Sequence, residues 1–94
     1  MSSKLPQNNL PVTTLRNLGP KSAVMLAEVG IRTIGELRTI GAAKAYVRVK
    51  AIRSRGASLN LLWSMAAGLE GRGWQEVSSV EKALLLTEVR RLRR

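Results

Sequence analysis

The chain of 94 residues contains no cysteine, histidine, aspartate or phenylalanine. Without cysteine it has no disulfide and no thiolate nucleophile, which is compatible with a reducing cytoplasm. Cysteine, histidine and aspartate are the typical ligands of zinc, iron and calcium sites, and all three are absent, so we expect no metal and no cofactor. Every catalytic triad that uses histidine as its base is excluded as well.

Acidic side chains are few and scattered along the chain. The six carboxylates all belong to glutamates: Glu28, Glu36, Glu70, Glu76, Glu81 and Glu88. General acid–base and nucleophilic sites need convergent groups, and nothing in this spacing indicates such a cluster. We therefore expect a binding module and not an enzyme.

Long apolar runs are also missing. No segment approaches the roughly 18–20 apolar residues of a membrane span, so no membrane partner is expected. The first ten residues lack the apolar stretch of a secretory signal, and Pro6 and Pro11 keep them out of a helix. Residues 1–11 are interpreted as a flexible polar tail and residues 12–94 as one helical domain.

Glycine spacing and helical periodicity predict an all-α fold. A compact bundle of about six short helices is expected, over residues 12–17, 20–29, 33–40, 42–53, 59–69 and 79–93. Thr33 with Glu36, and Ser78 with Glu81, have the spacing of capping boxes. Ser58 is a third candidate N-cap.

The expected core comes from apolar stripes and aromatic residues. Trp63 and Trp74 are interpreted as buried anchors rather than base-stacking surfaces. Tyr46 is expected to be partly exposed beside a basic helix face. Ile52 is assigned to an inner stripe, and Val80 and Leu84 are placed beside the inner stripe of the last helix.

Residues 15–23 and 37–45 match each other in sequence. Leu15, Arg16, Gly19 and Ala23 correspond to Leu37, Arg38, Gly41 and Ala45. The match favours two similar helix–turn–helix units, with chance among common residues as the alternative. The first unit is similar to a helix-hairpin-helix motif of SAM-like folds, with Asn17 where that motif usually has its first glycine. Asparagine tolerates a left-handed backbone better than most residues.

Such a turn predicts an anion site. Unpaired amides at the N-terminus of the helix that follows, together with the helix dipole, suit a DNA phosphate. The residues predicted to form this contact are Arg16, Asn17, Leu18, Gly19 and Lys21. The alternative is a purely structural corner in which Gly19 only permits close packing.

Basic residues outnumber acidic ones by 16 to 6, for a net charge of +10. No acidic residue lies between Leu37 and Leu69, and Lys44, Arg48 and Arg55 recur there at helical spacing. They are predicted to attract nucleic acid diffusely. The alternatives are a solvated face without a partner and a surface for an acidic protein.

Five blocks, in order, carry a family resemblance. They are Leu-Arg-Asn-Leu-Gly-Pro-Lys-Ser-Ala, Val-Gly-Ile-Arg-Thr-Ile-Gly-Glu-Leu, Gly-Ala-Ala-Lys-Ala-Tyr, Ser-Leu-Asn-Leu-Leu-Trp and Gly-Arg-Gly-Trp. In this order they resemble the C-terminal domain of the bacterial TfoX/Sxy family. The resemblance covers about Leu15 to Leu86. It implies a helical, cytoplasmic regulatory domain linked to natural competence and transcription, and it transfers no site residue.

Members of that family usually carry an N-terminal domain, so the chain is expected to be either an excised domain or a stand-alone homologue of the C-terminal half. The start at Met1, followed by a polar tail, favours the stand-alone form. The expected partner is DNA, contacted through its phosphates without strong sequence choice. An acidic regulatory protein is the alternative partner, with no direct DNA binding. The sequence leaves homodimerisation open.

Overall fold

A computed structural model describes residues 8–53 and 57–93. It contains five α-helices: α1 (Pro20–Ala27), α2 (Ile34–Ile40), α3 (Ala42–Ile52), α4 (Leu59–Leu69) and α5 (Ser79–Leu92). Two 3₁₀ turns, Val12–Thr14 and Trp74–Glu76, complete the regular structure. Within the described residues the only β-type pairing is an isolated bridge between Pro11 and Thr33. The predicted all-α class is confirmed.

Two helices begin at the capping boxes that the sequence predicts. The Thr33 hydroxyl accepts a hydrogen bond from the Glu36 amide at 3.2 Å, and the Glu36 carboxylate accepts one from the Thr33 amide at 3.0 Å. Ser78 and Glu81 repeat this arrangement at 3.1 and 3.0 Å. The third expected cap is wrong: Ser58 precedes α4 but its side chain makes no cap bond. Its backbone carbonyl accepts from the Leu61 amide instead.

Helix α4 lies at the centre of the core, as its nearly continuous apolar sequence predicts. Leu62, Met65 and Ala67 on this helix are fully buried, and Trp63 is almost so. Helix α3 packs against both α4 and α5. None of the helices in the described part of the chain has the length and apolar content needed to cross a membrane.

The first predicted helix is shorter than expected. Only Val12–Thr14 is helical, as a 3₁₀ turn, and Leu15 returns to an extended backbone. Three successive β-branched residues disfavour a longer helix here. The second repeat unit is helical on both sides of Gly41, whereas the first is helical only after Gly19.

Three expectations about burial on α3 and α5 are corrected by the structure. Tyr46 is only 5% exposed, and its hydroxyl donates to the Ala57 carbonyl at 3.5 Å. Ile52 is 58% exposed because it is the last residue of α3. Val80 and Leu84 are 69% and 66% exposed because α5 turns its other face, which includes Val89, toward the core.

Contacts begin before the expected domain boundary at Val12. The Asn8 carbonyl accepts from the Gly35 amide at 2.8 Å, and the Leu10 carbonyl accepts from the Ile34 amide at 2.9 Å. The Asn8 side chain also accepts from Arg38 Nε at 3.2 Å. Residues 8–11 therefore lie along the start of α2.

Candidate nucleic-acid interface

The hairpin turn, residues 15–19, connects the first 3₁₀ turn to α1. Asn17 has a φ of 79°, in the left-handed region that the sequence predicted for it. Its side-chain nitrogen donates to the Arg72 carbonyl at 2.9 Å and to the Ser64 carbonyl at 3.5 Å. Its side-chain oxygen accepts from the Trp74 amide at 3.3 Å. Asn17 thus replaces the expected glycine and also binds the turn to the segment that follows α4.

Leu18 and Gly19 differ in what they present to solvent. Leu18 is buried, so its side chain packs in the core and only its backbone is available to a ligand. Gly19 has a φ of −104°, and a Cβ placed on it meets no atom within 4 Å. The close-packing explanation of Gly19 is therefore wrong. Open space lies above this position.

The N-terminus of α1 is open in the same way. Gly19 is its N-cap and provides no side-chain cap, and Pro20 at the first helical position has no amide hydrogen. Among the described hydrogen bonds the amides of Lys21 and Ser22 have no acceptor. Lys21 is exposed beside them. These groups are the elements of the anion site that the sequence predicts.

Arg16 is part of the hairpin turn and lies close to the connecting loop, residues 70–78. Its carbonyl oxygen is 2.7 Å from the point where a Cβ on Gly68 would lie, so α4 approaches the turn closely there. Its guanidinium nitrogen Nη2 is 3.2 Å from the corresponding point on Gly73. Arg16 is exposed, and its guanidinium lies beside Gly73, the residue that precedes Trp74.

Lys44 and Arg48 are one turn apart on α3, and both are exposed. They form what we call the α3 basic face. Arg55 lies outside the described residues, and α3 ends at Ile52, before it. Lys50 lies elsewhere on the helix, where its ammonium donates to the Ala57 carbonyl at 3.2 Å.

Every glutamate is engaged within the protein. Glu28 pairs with Arg53 at 2.6 Å, Arg72 bridges Glu70 and Glu81 at 2.5 Å each, and Glu88 pairs with Arg91. The remaining two accept backbone amide hydrogen bonds: Glu36 and Glu76. Among the described residues, no ion pair includes Arg16, Lys21, Lys44 or Arg48.

These contacts change the acidity of several carboxyls. The hydrogen bond from Arg53 lowers the pKa of Glu28 below its ordinary 4.5. Hydrogen bonds from Arg72, and then from Ser78, lower the pKa of Glu81 to about 2. The amides of Arg32 and Thr33 lower the pKa of Glu36. At neutral pH these carboxylates are charged, and they neutralise cations close to them.

The predicted site residues fall into two groups. Arg16, Asn17, Gly19 and Lys21 lie together at the hairpin turn. Lys44 and Arg48 share the α3 basic face, and no described hydrogen bond or ion pair connects them to the turn. Helices α1 and α3 are nevertheless in contact, and the Arg53–Glu28 pair joins their C-terminal ends.

Trp74 was expected in the core, and the structure corrects this. It is 36% exposed at the start of the second 3₁₀ turn, where its amide donates to the Asn17 side chain. The preceding Gly71-Arg72-Gly73 is the sequence signal for such a loop position. The contact with residue 17 has no local signal, because 57 residues separate the pair.

Comparison with known proteins agrees with the resemblance seen in the sequence. The model of the TfoX C-terminal domain family matches residues 7–89. The chain is 37% identical over 75 residues to the DNA transformation protein TfoX of Haemophilus influenzae. That match covers 80% of this chain and 34% of the relative. The chain therefore spans about a third of the length of this curated relative.

Two crystal structures of uncharacterised protein from Listeria monocytogenes, one triclinic and one tetragonal, have a similar fold. The triclinic form has a TM-score of 0.76 at 23% identity, over 88% of this chain and 93% of that one. The tetragonal form has a TM-score of 0.75 at 24% identity, over 85% and 98% respectively. At this identity the likeness shows the fold alone.

Proposed function

The chain belongs to the TfoX C-terminal domain family, and from that premise we propose a regulatory binding module linked to competence or transcription. The module contacts DNA through its phosphates, without strong sequence choice and without catalysis. The α3 basic face and the hairpin turn provide the contacts. The name of the Haemophilus relative, a DNA transformation protein, supports a role connected with DNA.

The distribution of charge is the observation that carries this proposal. The chain has a net charge of +10, and its six glutamates are already bonded to internal partners. Lys21, Lys44 and Arg48 are exposed and are not part of any described ion pair. Phosphates gain most from cations of this kind, because binding releases condensed counterions without first breaking an internal pair.

The hairpin turn adds a fixed contact to this diffuse attraction. A phosphate above Gly19 meets no side chain from that residue, and the amides of Lys21 and Ser22 point out of the first turn of α1. Backbone amides recognise phosphate oxygens and not base edges. Weak sequence preference follows from this geometry.

Fluorescence anisotropy of a labelled 20-base-pair duplex over a salt series tests the α3 basic face. We expect micromolar binding at low salt with a steep salt slope. The double variant Lys44→Glu/Arg48→Glu should weaken binding at least tenfold and reduce the slope by about 2, since each phosphate contact contributes about 0.9.

The matched control is Arg90→Glu/Arg93→Glu, which changes the net charge equally on exposed positions at the end of the chain. It should weaken binding much less. Equal losses in the two double variants would mean that only net charge matters, and would contradict a defined contact on α3.

A second pair of variants tests the hairpin turn. Gly19→Val places a branched side chain over the α1 amides, at a φ that valine adopts readily and where no protein atom is close. We expect weaker DNA binding and only a small fall in the thermal midpoint, since valine is a poorer N-cap than glycine, with Gly19→Ala intermediate in both. Unchanged affinity in both Gly19→Val and Lys21→Glu would remove the turn from the interface.

A second candidate function is binding to an acidic regulatory protein. The observation that favours it is the exposure of Val80 and Leu84 on α5, the helix that also carries Arg90. Exposed apolar side chains bordered by cations are typical of protein interfaces. The discriminating result is absence of duplex binding at near-physiological salt, together with a protein partner whose affinity falls in Leu84→Glu.

A further inference from the structure

We infer that Trp74 and Arg16 form a stacking site for an unpaired nucleobase, which gives the protein a preference for single-stranded over duplex DNA. The inference rests on the proposed function, since the cations that bind duplex phosphates would also bind those of a single strand. It goes beyond that function by naming the form of nucleic acid and the aromatic residue that selects it.

Trp74 is exposed and also fixed in place. Its amide donates to the Asn17 side chain at 3.3 Å, and its carbonyl accepts from the Val77 amide at 3.3 Å. The residue before it is fixed as well, because the Gly73 amide donates to the Glu76 carboxylate at 3.0 Å. Because the backbone groups on both sides of Trp74 are already hydrogen-bonded, the backbone here loses little further conformational freedom when a ligand binds the indole.

Arg16 provides a planar cation close to the backbone that precedes this indole. Its Nη2 lies 3.2 Å from the point where a Cβ on Gly73 would be, so the guanidinium occupies space that any larger residue at position 73 would take. Gly73 therefore lets Arg16 lie against the backbone adjoining Trp74. An exposed tryptophan beside an arginine suits a nucleotide, because the ring stacks on the base and the guanidinium binds the phosphate.

The carboxylates close to this site are neutralised or bonded. Arg72 pairs with Glu70 and Glu81, and the Gly73 amide binds Glu76. On the other side of Asn17 lie the open α1 N-terminus and Lys21. Arg16, the α1 amides and Lys21 all belong to or adjoin the hairpin turn, so they are available to the phosphates of a strand that stacks on Trp74.

The geometry selects an unpaired base over a duplex. In a duplex the faces of the bases are covered by their neighbours, so a surface indole reaches no face. In a single strand each base exposes a face, and stacking on an aromatic residue typically contributes about tenfold or more in affinity per base. This contribution depends little on which base is stacked.

Intrinsic tryptophan fluorescence tests the site directly, with a 20-nucleotide oligothymidylate and a 20-base-pair duplex as probes. We expect the oligothymidylate to quench emission, since Trp74 stacks on a base, while Trp63 stays buried and supplies the residual signal. Trp74→Ala should lose the quenching and about tenfold in affinity for the single strand. Its affinity for the duplex should stay within twofold of wild type.

Three controls make the result specific. Trp74→Tyr should retain part of the single-strand affinity that Trp74→Ala loses, because tyrosine also stacks. A 20-residue abasic strand should bind wild type as weakly as oligothymidylate binds Trp74→Ala. Unchanged thermal midpoints in Trp74→Ala and Trp74→Leu would show that the fold is intact.

The outcomes separate this inference from the proposed function. Normal duplex binding with no quenching and no single-strand preference overturns the stacking site alone. Equal loss of duplex and single-strand binding in Trp74→Ala also overturns it, because the indole would then not select unpaired bases. Absence of binding to either probe at low salt defeats the proposed function and this inference together. Loss of binding to a protein, with DNA affinity unchanged, would assign Trp74 to a protein interface instead.

Discussion

Asn17 shows how one side chain combines a backbone requirement with long-range contacts. Its left-handed φ of 79° lets the chain reverse before α1, and its amide group makes three hydrogen bonds to residues 64, 72 and 74. Glycine at this position would supply the first property only. The substitution of asparagine therefore strengthens the contact between the turn and the connecting loop.

Substitution of Asn17 separates these two contributions. Asn17→Ala loses the side-chain bonds and also forces alanine into a left-handed conformation, so we expect a loss of about 2–3 kcal/mol in the free energy of unfolding. Asn17→Gly also loses the side-chain hydrogen bonds, but glycine adopts the left-handed conformation without strain. It should therefore be about 1 kcal/mol more stable than the alanine variant. Urea denaturation measures both. Equal stability of the two variants would contradict a strained backbone at this position.

Gly68 and Gly19 make a matched pair of glycines with opposite surroundings. A Cβ at Gly68 would lie 2.7 Å from the Arg16 carbonyl oxygen, whereas one at Gly19 meets nothing within 4 Å. Gly68→Ala should destabilise the protein by about 1–3 kcal/mol, because the overlap outweighs the better helix propensity of alanine. Gly19→Ala should stay within about 0.5 kcal/mol of wild type. Thermal denaturation of the two variants side by side provides the check.

At the scale of elements, the connecting loop is organised by Arg72. Its guanidinium bonds Glu70 at the end of α4, the Glu76 carbonyl in the 3₁₀ turn and Glu81 in the first turn of α5. One side chain thus fixes the relation between two helices and the turn that carries Trp74. The α4–α5 connection should be sensitive to the protonation of its carboxylates.

Stability at low pH tests this dependence. The pKa of Glu81 is about 2 in the folded protein, against an ordinary value of 4.5, so the unfolded chain takes up the proton first. The stabilisation is complete above about pH 4.5 and is lost as the pH falls from 4.5 to 2. We expect the thermal midpoint to fall over this range, with a shallower fall in Glu81→Gln. Glu88→Gln, whose ion pair lies within one exposed helix, should keep the wild-type profile.

The elements that the sequence predicts well are those with local causes. The capping boxes at Thr33 and Ser78 depend on residues three apart, and both formed. The burial of Tyr46 and the exposure of Trp74 depend on segments far away in the chain, and both expectations were wrong. Ile52 fits a helical stripe in sequence, but it extends beyond the packed part of α3 because the helix ends there.

The same distinction applies to the candidate site. The turn with Gly19 and Lys21 is contiguous and could be predicted from its motif. The connecting loop, which carries Trp74, comes close to Arg16 and Asn17 only because it packs on the turn. The hydrophobic pattern within either segment gives no indication that the two segments are in contact.

At the scale of the whole molecule, charge acts on stability and on binding in opposite directions. A net charge of +10 on a chain with a radius of gyration of 12.4 Å produces mutual repulsion among the cations. Salt screens that repulsion over about 10 Å at 0.1 M, and it also weakens attraction to phosphates.

We therefore expect the thermal midpoint to rise by about 2–5 °C between 20 and 300 mM sodium chloride while affinity for the duplex falls steeply. Differential scanning fluorimetry and anisotropy on the same samples measure the two trends. A midpoint that falls with salt would mean that the ion pairs of Arg53, Arg72 and Arg91 outweigh the repulsion. Lys44→Glu/Arg48→Glu, with a smaller net charge, should show a weaker rise.

The hydrogen bonds of Asn17 also have a consequence for the order of folding. Its partners lie 47 to 57 residues further along the chain, so the loop that these bonds close is more than half the length of the protein. Closing a loop of that length costs entropy that only late, long-range packing repays. During synthesis the hairpin turn therefore cannot complete these bonds until residue 74 has emerged, and the turn and the exposed tryptophan become structured together.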